Sequence, residues 1–288
     1  MDKSLRAHLE YVLCIRVESA LPVHGGDISQ AFLVKTATER FFCKVNQNPN
    51  ALAMFQAEKM GLKALAETRT IAVPKVLLCE EWESGGFLLM EYIEPKNGAA
   101  KDMELLGHQL AGLHQFSSSD TFGLATNNYI GSLGQSNTPH PDWSVFYVSQ
   151  RLLPLLKMAQ NAKLLSPGDI PTETTLLHTC GELLSGATPS LLHGDFWCGN
   201  YLISSKGTPY LIDPAVYFGH YEVDLAMSRL FGGFDASFYG AHSEHFPGTP
   251  GERERRDIYQ LYYLLVHLNL FGGSYRASCK KILQRYFY

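Results

Sequence analysis

Short apolar runs separated by polar turns occupy much of the first hundred residues, a pattern that is typical of strands. Two apolar runs, 31–37 (AFLVKTA) and 40–45 (RFFCKV), are separated by a short polar turn and predict a hairpin. Residues 51–67 place apolar side chains at helical spacing instead, and two further strand patterns follow at 75–82 and 86–94. The pattern therefore predicts the order strand, strand, helix, strand, strand.

Beyond residue 94 the pattern changes to helical periodicity. The stretch EPKNGAAKD has the composition of a linker, and four helical segments follow it: 102–116, 143–165, 222–231 and 253–286. They are interrupted once, at 189–217, where short apolar runs alternate with turn signals. The whole predicts a bilobal α+β fold with a small N-terminal lobe, an antiparallel sheet with one helix (1–94), and a larger, mainly helical C-terminal lobe (95–288).

Composition and charge argue against nucleic-acid and membrane partners. The 288 residues are 45% hydrophobic and 12% aromatic, enough for a sizeable core, and the formal charge of -4 gives no basic surface for nucleic acid. No apolar stretch approaches the ~18 residues that span a bilayer, and the first residues are too polar for a signal peptide. We therefore expect a cytoplasmic protein without nucleic-acid or membrane partners. Six scattered cysteines without a CxxC pair are expected to be free thiols.

The interruption at 189–217 carries the candidate chemistry, in the segment HGDFWCGN. Asp195 precedes Asn200 by five positions, and Asp213 ends the apolar run PYLID. A carboxylate can accept a proton from a hydroxyl, while an amide oxygen and a second carboxylate suit Mg²⁺. Each residue alone is better explained as a turn cap or strand end, but the three together favour a catalytic loop.

The N-terminal lobe contains a second candidate set. Gly25 and Gly26 form a turn between strands, where main-chain N–H groups can approach phosphates, although such a pair is usually only a tight turn. Lys44 lies inside an apolar strand, and Glu58 on the following helix is its candidate partner. A lysine held by a helix glutamate grips ATP phosphates in protein kinases, whereas a plain surface lysine is the alternative.

The order of these parts is that of a protein-kinase-like phosphotransferase, and the motifs narrow it. HGDFWCGN resembles the H-G-D-[LF]-W-x-G-N signature of the fructosamine kinase (ketosamine kinase) family, which is related to aminoglycoside and choline phosphotransferases. Other matching segments span nearly the whole chain: GGDIS, LLMEYIE, LGHQLAGLHQ, NNYIG and LIDPAVYFGHYEVDLAMSRLFGGF.

The resemblance implies ATP-dependent phosphorylation of the sugar part of ketosamines, such as fructosamines or ribulosamines, at the 3-hydroxyl, which makes the adduct labile and frees the amine. It implies Asp195 as the base, Asn200 and Asp213 as Mg²⁺ ligands, and Lys44 with Glu58 on the ATP phosphates. Gly25 and Gly26 would cover these phosphates. The adenine would be bound by the main chain of Met90, Glu91 and Tyr92.

Several other residues are predicted to neighbour the acceptor or to support the loop. They are Trp197, Trp143, Phe146 and Asp224, with His114, Tyr147 and Arg229 as further candidates. Trp197 is as readily a core anchor, and His193 is expected to hold the loop rather than to titrate. The segment DPA at 213–215 replaces the D-F-G of protein kinases and argues against a protein-hydroxyl acceptor. Cys198 stands where the family commonly has Ser.

Three alternatives stay open. The chain could phosphorylate another small alcohol, such as an aminoglycoside, choline or a sugar. It could be a nucleotide-binding pseudokinase, although the retained Lys44, Asp195, Asn200 and Asp213 argue against this. It could be a non-enzymatic interaction protein that uses aromatic runs such as 261–265, which are more simply a buried helix face. Oligomeric state and the choice between free and protein-bound ketosamines are not readable from the sequence.

Overall fold

A computed structural model describes residues 1–23, 29–116 and 118–288 of the chain. It confirms the predicted α+β fold, with an antiparallel-sheet N-terminal lobe and a mainly helical C-terminal lobe. The predicted glycine turn at Gly25 and Gly26 lies outside the described residues.

The N-terminal lobe is built on a five-stranded antiparallel sheet of order β1-β2-β3-β5-β4. Its strands are β1 (Val17–Val23), β2 (Gln30–Thr36), β3 (Arg40–Asn46), β4 (Val76–Trp82) and β5 (Gly85–Glu91). The predicted helix is α2 (Ala51–Thr68), and a further helix, α1 (Lys3–Leu13), was not predicted. Helix α1 buries Leu5 and Leu9 in the core beneath the sheet.

The β2–β3 hairpin determines which way Lys44 points. Its turn is closed by Thr36, whose N–H donates to the carbonyl of Glu39 (2.9 Å) and whose hydroxyl accepts from the Glu39 N–H (3.0 Å). Because side chains alternate along a strand, Phe41 and Cys43 enter the core under the sheet, and Lys44 faces the opposite side. That side borders the cleft between the lobes.

The C-terminal lobe contains the four predicted helical segments and the predicted strands at 189–217, together with a hairpin at 128–135 and two helices, 173–183 and 236–245, that were not predicted. The helices are α3 (Ala100–Gln115), α4 (Trp143–Tyr147), α5 (Leu153–Asn161), α6 (Glu173–Leu183), α7 (Glu222–Leu230), α8 (Ala236–His245), α9 (Glu252–Phe271) and α10 (Arg276–Phe287). The strands are β6 (Pro95–Lys96), β7 (Asn128–Ile130), β8 (Leu133–Gln135), β9 (Ser190–Leu192), β10 (Tyr201–Ser204), β11 (Pro209–Leu211) and β12 (Tyr217–Gly219). A π-helical turn, Val148–Leu152, joins α4 to α5.

Helix α8 was missed by the periodicity because its sequence, ASFYGAHSEH, has no continuous apolar stripe. It is held by close packing on α3. A Cβ added at Gly107 of α3 would stand 2.4 Å from the carbonyl oxygen of Phe238, so only glycine permits this approach.

The core of the larger lobe surrounds α9, and it overturns one prediction. Trp143 and Phe146, expected beside the acceptor, are only 3% and 0% exposed and do not line the cleft. The Trp143 indole donates to the hydroxyl of Tyr259 (2.9 Å), and its ring stacks on Phe146. Both side chains lie on the face of α4 that packs into the core. The run 261–265 is likewise a buried helix face.

The first residues of the linker already belong to a sheet of the larger lobe, because Pro95 and Lys96 pair with Ser204 and Ile203 of β10. We therefore propose to keep the predicted lobe boundary between residues 94 and 95. Within the described ranges, no helix is both long and apolar enough to cross a membrane.

Candidate active site

The segment HGDFWCGN forms a loop between β9 and β10, at the floor of the cleft between the lobes. Gly194 has a φ of +84°, and a Cβ there would stand 2.0 Å from the carbonyl oxygen of Ala215. Phe196, fully buried, anchors the loop in a core cluster with Leu106 and Phe238. The shape of the loop thus requires glycine at 194, and Phe196 fixes the loop to the core.

Asp224 contacts the main chain of the loop, which agrees with the second of its two predicted roles, support of the loop. This fully buried carboxylate on α7 accepts hydrogen bonds from the N–H groups of His193 (2.8 Å) and Gly194 (2.9 Å). It also pairs with His114 Nε2 on α3 (3.1 Å). Because all its partners are internal, Asp224 is a structural support of the loop.

His193 is held by the same loop. Its Nδ1 accepts the N–H of Asp195 (3.2 Å), so Nε2 carries the proton that is donated to the carbonyl of Ile212 (2.9 Å). Burial lowers the pKa of this imidazole, more than nearby carboxylates raise it. A neutral, doubly hydrogen-bonded ring links the loop to the strand end that carries Asp213.

Asp195, Asn200 and Asp213 meet at this point of the cleft and all three line it. The Asn200 side-chain amide nitrogen donates to the main-chain carbonyl (2.9 Å) and the carboxylate (3.0 Å) of Asp195, and the main-chain carbonyl of Asn200 accepts from Ile212 N–H (3.0 Å). Burial, reinforced by the Asp213 carboxylate, raises the pKa of Asp195 to about 7. Such a perturbed carboxyl group in a cleft is typical of catalytic sites.

Lys44 and Glu58 complete the site from the N-terminal lobe. Lys44 Nζ donates to Glu58 (2.8 Å) and to the Asp213 carboxylate of the other lobe. Burial alone would lower the pKa of Lys44, but the two carboxylates more than offset it and raise that pKa. Burial also raises the pKa of Glu58, to about 7, although Lys44 acts to lower it. The predicted lysine–glutamate pair is therefore formed, with Asp213 as a third member.

Comparison with known proteins identifies the arrangement. Residues 2–288 match the family model described as fructosamine kinase. The chain belongs to the fructosamine kinase family.

Named relatives agree with the family model. A protein named probable ketoamine kinase from Synechocystis is 37% identical over 94% of this chain and 90% of its own. The protein-ribulosamine 3-kinase, chloroplastic, of Arabidopsis thaliana is 39% identical over 92% of this chain and 81% of its own. A Thermobifida fusca crystal structure assigned as a fructosamine-3-kinase superposes with a TM-score of 0.85 and 31% identity, covering 99% and 98% of the two chains. The chain is accordingly an ATP-dependent phosphotransferase that acts on ketosamines.

The cleft of this kinase encloses about 770 Å³ and is lined from both lobes. Met90, Glu91 and Tyr92, whose main chain is predicted to contact adenine, all line this cleft. Met90 lies inside the sheet, paired with Phe42 and Val76, and the N–H groups of Glu91 and Tyr92 already donate to the carbonyls of Lys75 (2.9 Å) and Arg40 (3.3 Å). Among the described residues, the N–H of Ile93, which also lines the cleft, has no hydrogen-bond partner.

The other end of the cleft is aromatic, and sequence reasoning missed most of it. Trp197, as one interpretation predicted, lines this end together with Phe231, His267, Phe271 and Tyr275. A signal was present, since the tetrapeptide LFGG occurs twice, at 230–233 and 270–273. Each copy spans the C-terminus of a helix, α7 or α9, and each places its phenylalanine at the cleft with 40% and 50% exposure.

Cys198 lies beside this end and is exposed. Its side chain packs over Gly233, where a Cβ would approach the Cys198 Cβ to 2.4 Å. All six cysteines of the kinase are free thiols, as expected. Nothing in the structure explains why cysteine rather than serine stands at 198.

The donors around Asp213 fit Mg²⁺ of the kind that kinases bind with ATP. The two hydrogen bonds donated by the Asn200 amide nitrogen fix that side chain and leave its oxygen as the available donor atom. The Asp213 side chain is 42% exposed toward the cleft. Mg²⁺ is usually held by one or two such oxygen ligands together with substrate phosphates. In the described part of the chain, no three His, Cys, Asp or Glu side chains are grouped so that they could hold a metal ion by themselves.

Proposed function

We propose that this cleft transfers the γ-phosphoryl group of ATP to the 3-hydroxyl of a ketosamine, which leads to release of the amine. The observation that supports it best is the meeting of Asp195 and Asn200 with Lys44, Glu58 and Asp213 across one cleft. Loop carboxylate, metal-type oxygen donors and phosphate-binding lysine are the parts that phosphoryl transfer needs.

Lys44 is the proposed contact of the α- and β-phosphates, and Glu58 is the residue that keeps it extended. The lysine head is nearly buried and lies between two carboxylates, so its position is fixed before a nucleotide arrives. Such preorganised charge is worth more in a cleft than in water. Gly25 and Gly26 are proposed to cover the phosphates through their N–H groups.

Asp195 is the proposed general base. Its pKa of about 7 lies near the working pH, where a carboxylate both exists in the ionised form and has a real affinity for a proton. The Asn200 amide bonded to Asp195 Oδ2 orients the carboxylate. Asp195 would align the 3-hydroxyl and accept its proton as the O–P bond forms and the bond to the ADP leaving group breaks.

Asn200 and Asp213 are the proposed ligands of Mg²⁺. When bound, the ion would neutralise charge on the ATP phosphates. The adenine is proposed to contact the carbonyl of Glu91 and the N–H of Ile93, since the N–H groups of Glu91 and Tyr92 are occupied.

The aromatic end of the cleft is the proposed acceptor site. Trp197, Phe231 and Phe271 offer ring faces, and a ketosamine carries a positive charge when its amine nitrogen is protonated. His267 adds an acceptor, because its Nδ1–H donates to the carbonyl of Tyr263 (2.8 Å) and leaves Nε2 unprotonated. A sugar that carries a cationic or apolar amine substituent matches this lining.

Replacement of Phe271 by alanine tests the acceptor site. We expect the KM for a ketosamine to rise about 2- to 30-fold, the range of one cation–π contact, with the KM for ATP unchanged. Steady-state kinetics of Phe271→Ala measure both constants. Tyr11→Ala, which removes an exposed ring on α1, serves as the control and should leave both at the wild-type value. Equal changes in the two KM values would contradict this assignment.

The function itself is tested by ADP release from ATP in the presence of synthetic fructosyl- and ribulosyl-amines, with choline, an aminoglycoside and free sugars alongside. ADP release that depends on ketosamines alone supports the proposal, and activity confined to the other alcohols overturns it. The cytoplasmic location stays a prediction, because the Arabidopsis relative is named chloroplastic.

A further inference from the structure

The β7–β8 hairpin of the larger lobe has no part in the roles assigned so far, yet it reaches the N-terminal lobe. Strand β7 packs against α2, the helix that carries Glu58, and residues 128–131 form part of the cleft wall. The family motif NNYIG lies in this hairpin.

The segment that follows Asp213 contacts the same helix. Gly61 lies three residues after Glu58, so both are on one face of α2. A Cβ at Gly61 would stand 3.1 Å from Pro214 Cγ and 3.5 Å from Val216 Cγ2. Helix α2 therefore sits directly on residues 214–216, and the depth of this contact determines how far Glu58 enters the cleft.

Asn128 ties the hairpin to that segment. The side chain is buried, and its amide donates to the carbonyl of Val216 (2.8 Å). Its oxygen accepts from the amides of Gln135 (2.8 Å) and Asn137 (2.9 Å). With a donor and both acceptor positions in use, the orientation of Asn128 is fixed.

The hairpin is anchored in turn by a buried cation. Arg151, in the π-helical turn, is fully buried, donates to Asn137 Oδ1 (2.6 Å) and lies over the ring of Tyr217 (4.0 Å). Within the described ranges it forms no ion pair with a carboxylate. A buried charge held by neutral groups costs free energy, and a π-helical turn often marks a functional position.

We propose that Asn128 is a positioning residue: through Val216 it holds the β7–β8 hairpin and residues 214–216 as a fixed seat for α2, which keeps Glu58 against Lys44 and Asp213. In protein kinases, placement of the corresponding helix is controlled by phosphorylation of the activation loop. Here only residues 214–221 separate Asp213 from α7, and buried contacts do the placing. The inference rests on the proposed ATP site.

The test compares Asn128→Ala with Gln260→Ala in the full chain. Gln260 is a matched control, since its half-buried amide also donates to a main-chain carbonyl, that of Ala226 (3.1 Å), but on α9 and away from α2. We expect Asn128→Ala to lower kcat by ~10- to 100-fold, the order expected for misplacement of about 1 Å. Amide hydrogen exchange of α2 should also become faster. Gln260→Ala should keep wild-type kcat and α2 exchange.

A second variant, Gly61→Ala, changes the contact between α2 and residues 214–216 from the side of the helix. Gly61→Ala favours the helix by ~1 kcal/mol, so its Tm should not fall, but the added methyl presses on Pro214. We expect kcat/KM for ATP to fall about 3- to 10-fold in this folded protein, a fraction of the loss for a full 1 Å.

The outcomes separate this inference from the proposed function. Calorimetric titration of the wild type with Mg·ATP comes first, and absence of binding would refute the ATP site itself. If the wild type binds but Asn128→Ala and Gly61→Ala keep wild-type kcat, KM for ATP and α2 exchange, the seat is overturned. A kcat loss in Asn128→Ala that only follows its folded fraction, with α2 exchange unchanged, also overturns it. If Asn128→Ala does not fold, kcat/KM for ATP of Gly61→Ala tests the inference: a fall supports it and a wild-type value overturns it.

Discussion

Asp195→Asn is expected to lower turnover of a ketosamine by at least ~10²-fold while Mg·ATP still binds. The asparagine keeps the size of the side chain and can still hydrogen-bond Asn200, but it cannot accept the proton of the sugar hydroxyl. Its neutral amide also removes a charge beside Asp213, so ATP affinity should not fall. Single-turnover kinetics give the rate of transfer, and calorimetry gives the affinity.

The control for this variant is Asp120→Asn, which neutralises an exposed carboxylate outside the cleft lining. It should show wild-type turnover. Turnover of Asp195→Asn within a few-fold of that control would exclude Asp195 as the base. Loss of ATP binding together with turnover would show instead that the substitution had damaged the nucleotide site.

Lys44→Met is expected to lower kcat/KM for ATP by ~10²- to 10³-fold, the cost typical of removing one preorganised charge-stabilising donor. The variant also leaves Glu58 and Asp213 without the cation between them. Because burial already raises the pKa of Glu58 to about 7, that carboxyl group should take up a proton, which limits the loss of stability.

Lys59→Met is the matched control, because Lys59 is the next residue after Glu58 on α2 but is exposed. It should leave kcat/KM for ATP unchanged. Thermal unfolding of both variants reports whether each is folded. If Lys44→Met were folded and as active as Lys59→Met, Lys44 would have no part in phosphate binding.

The parts of the site that could be predicted from sequence are those set by local geometry. Strand alternation places Lys44 opposite the core-facing Cys43, and a loop followed by a hairpin returns Asp213 to Asn200. These follow from spacing alone, because a strand has period two and a short turn reverses the chain. The pair of Lys44 and Glu58 follows from strand and helix being consecutive.

Whether an aromatic side chain of a helical segment faces the core or the cleft was harder to predict. Trp143 and Phe231 are both aromatic residues in apolar helical patterns, yet the first is in the core and the second is at the cleft. Periodicity identifies an apolar stripe on a helix but not the element that packs on it. Helix α7 ends at Leu230, so Phe231 lies beyond the helix and outside its apolar stripe. The end of a helix, rather than its middle, places this aromatic ring at the cleft.

Contacts between distant segments could not be predicted either. Asp224 reaches the loop main chain from α7, and His114 reaches Asp224 from α3. Asn128 and Val216 are a further such pair. No local pattern encodes these partners, since they depend on how α3, α7 and the hairpin pack in three dimensions. They are nevertheless the contacts that hold the 193–200 loop and that, in our proposal, position α2.

The central claim is that ATP phosphorylates a ketosamine sugar in this cleft, and phosphorus NMR of the reaction mixture tests it most directly. With a synthetic ribulosyl- or fructosyl-amine and Mg·ATP, we predict a new phosphomonoester signal coupled to the proton on C3, one equivalent of ADP for each phosphate transferred, and later release of the free amine. Phosphate on another hydroxyl or another alcohol, or only inorganic phosphate with the ketosamine intact, would contradict the account.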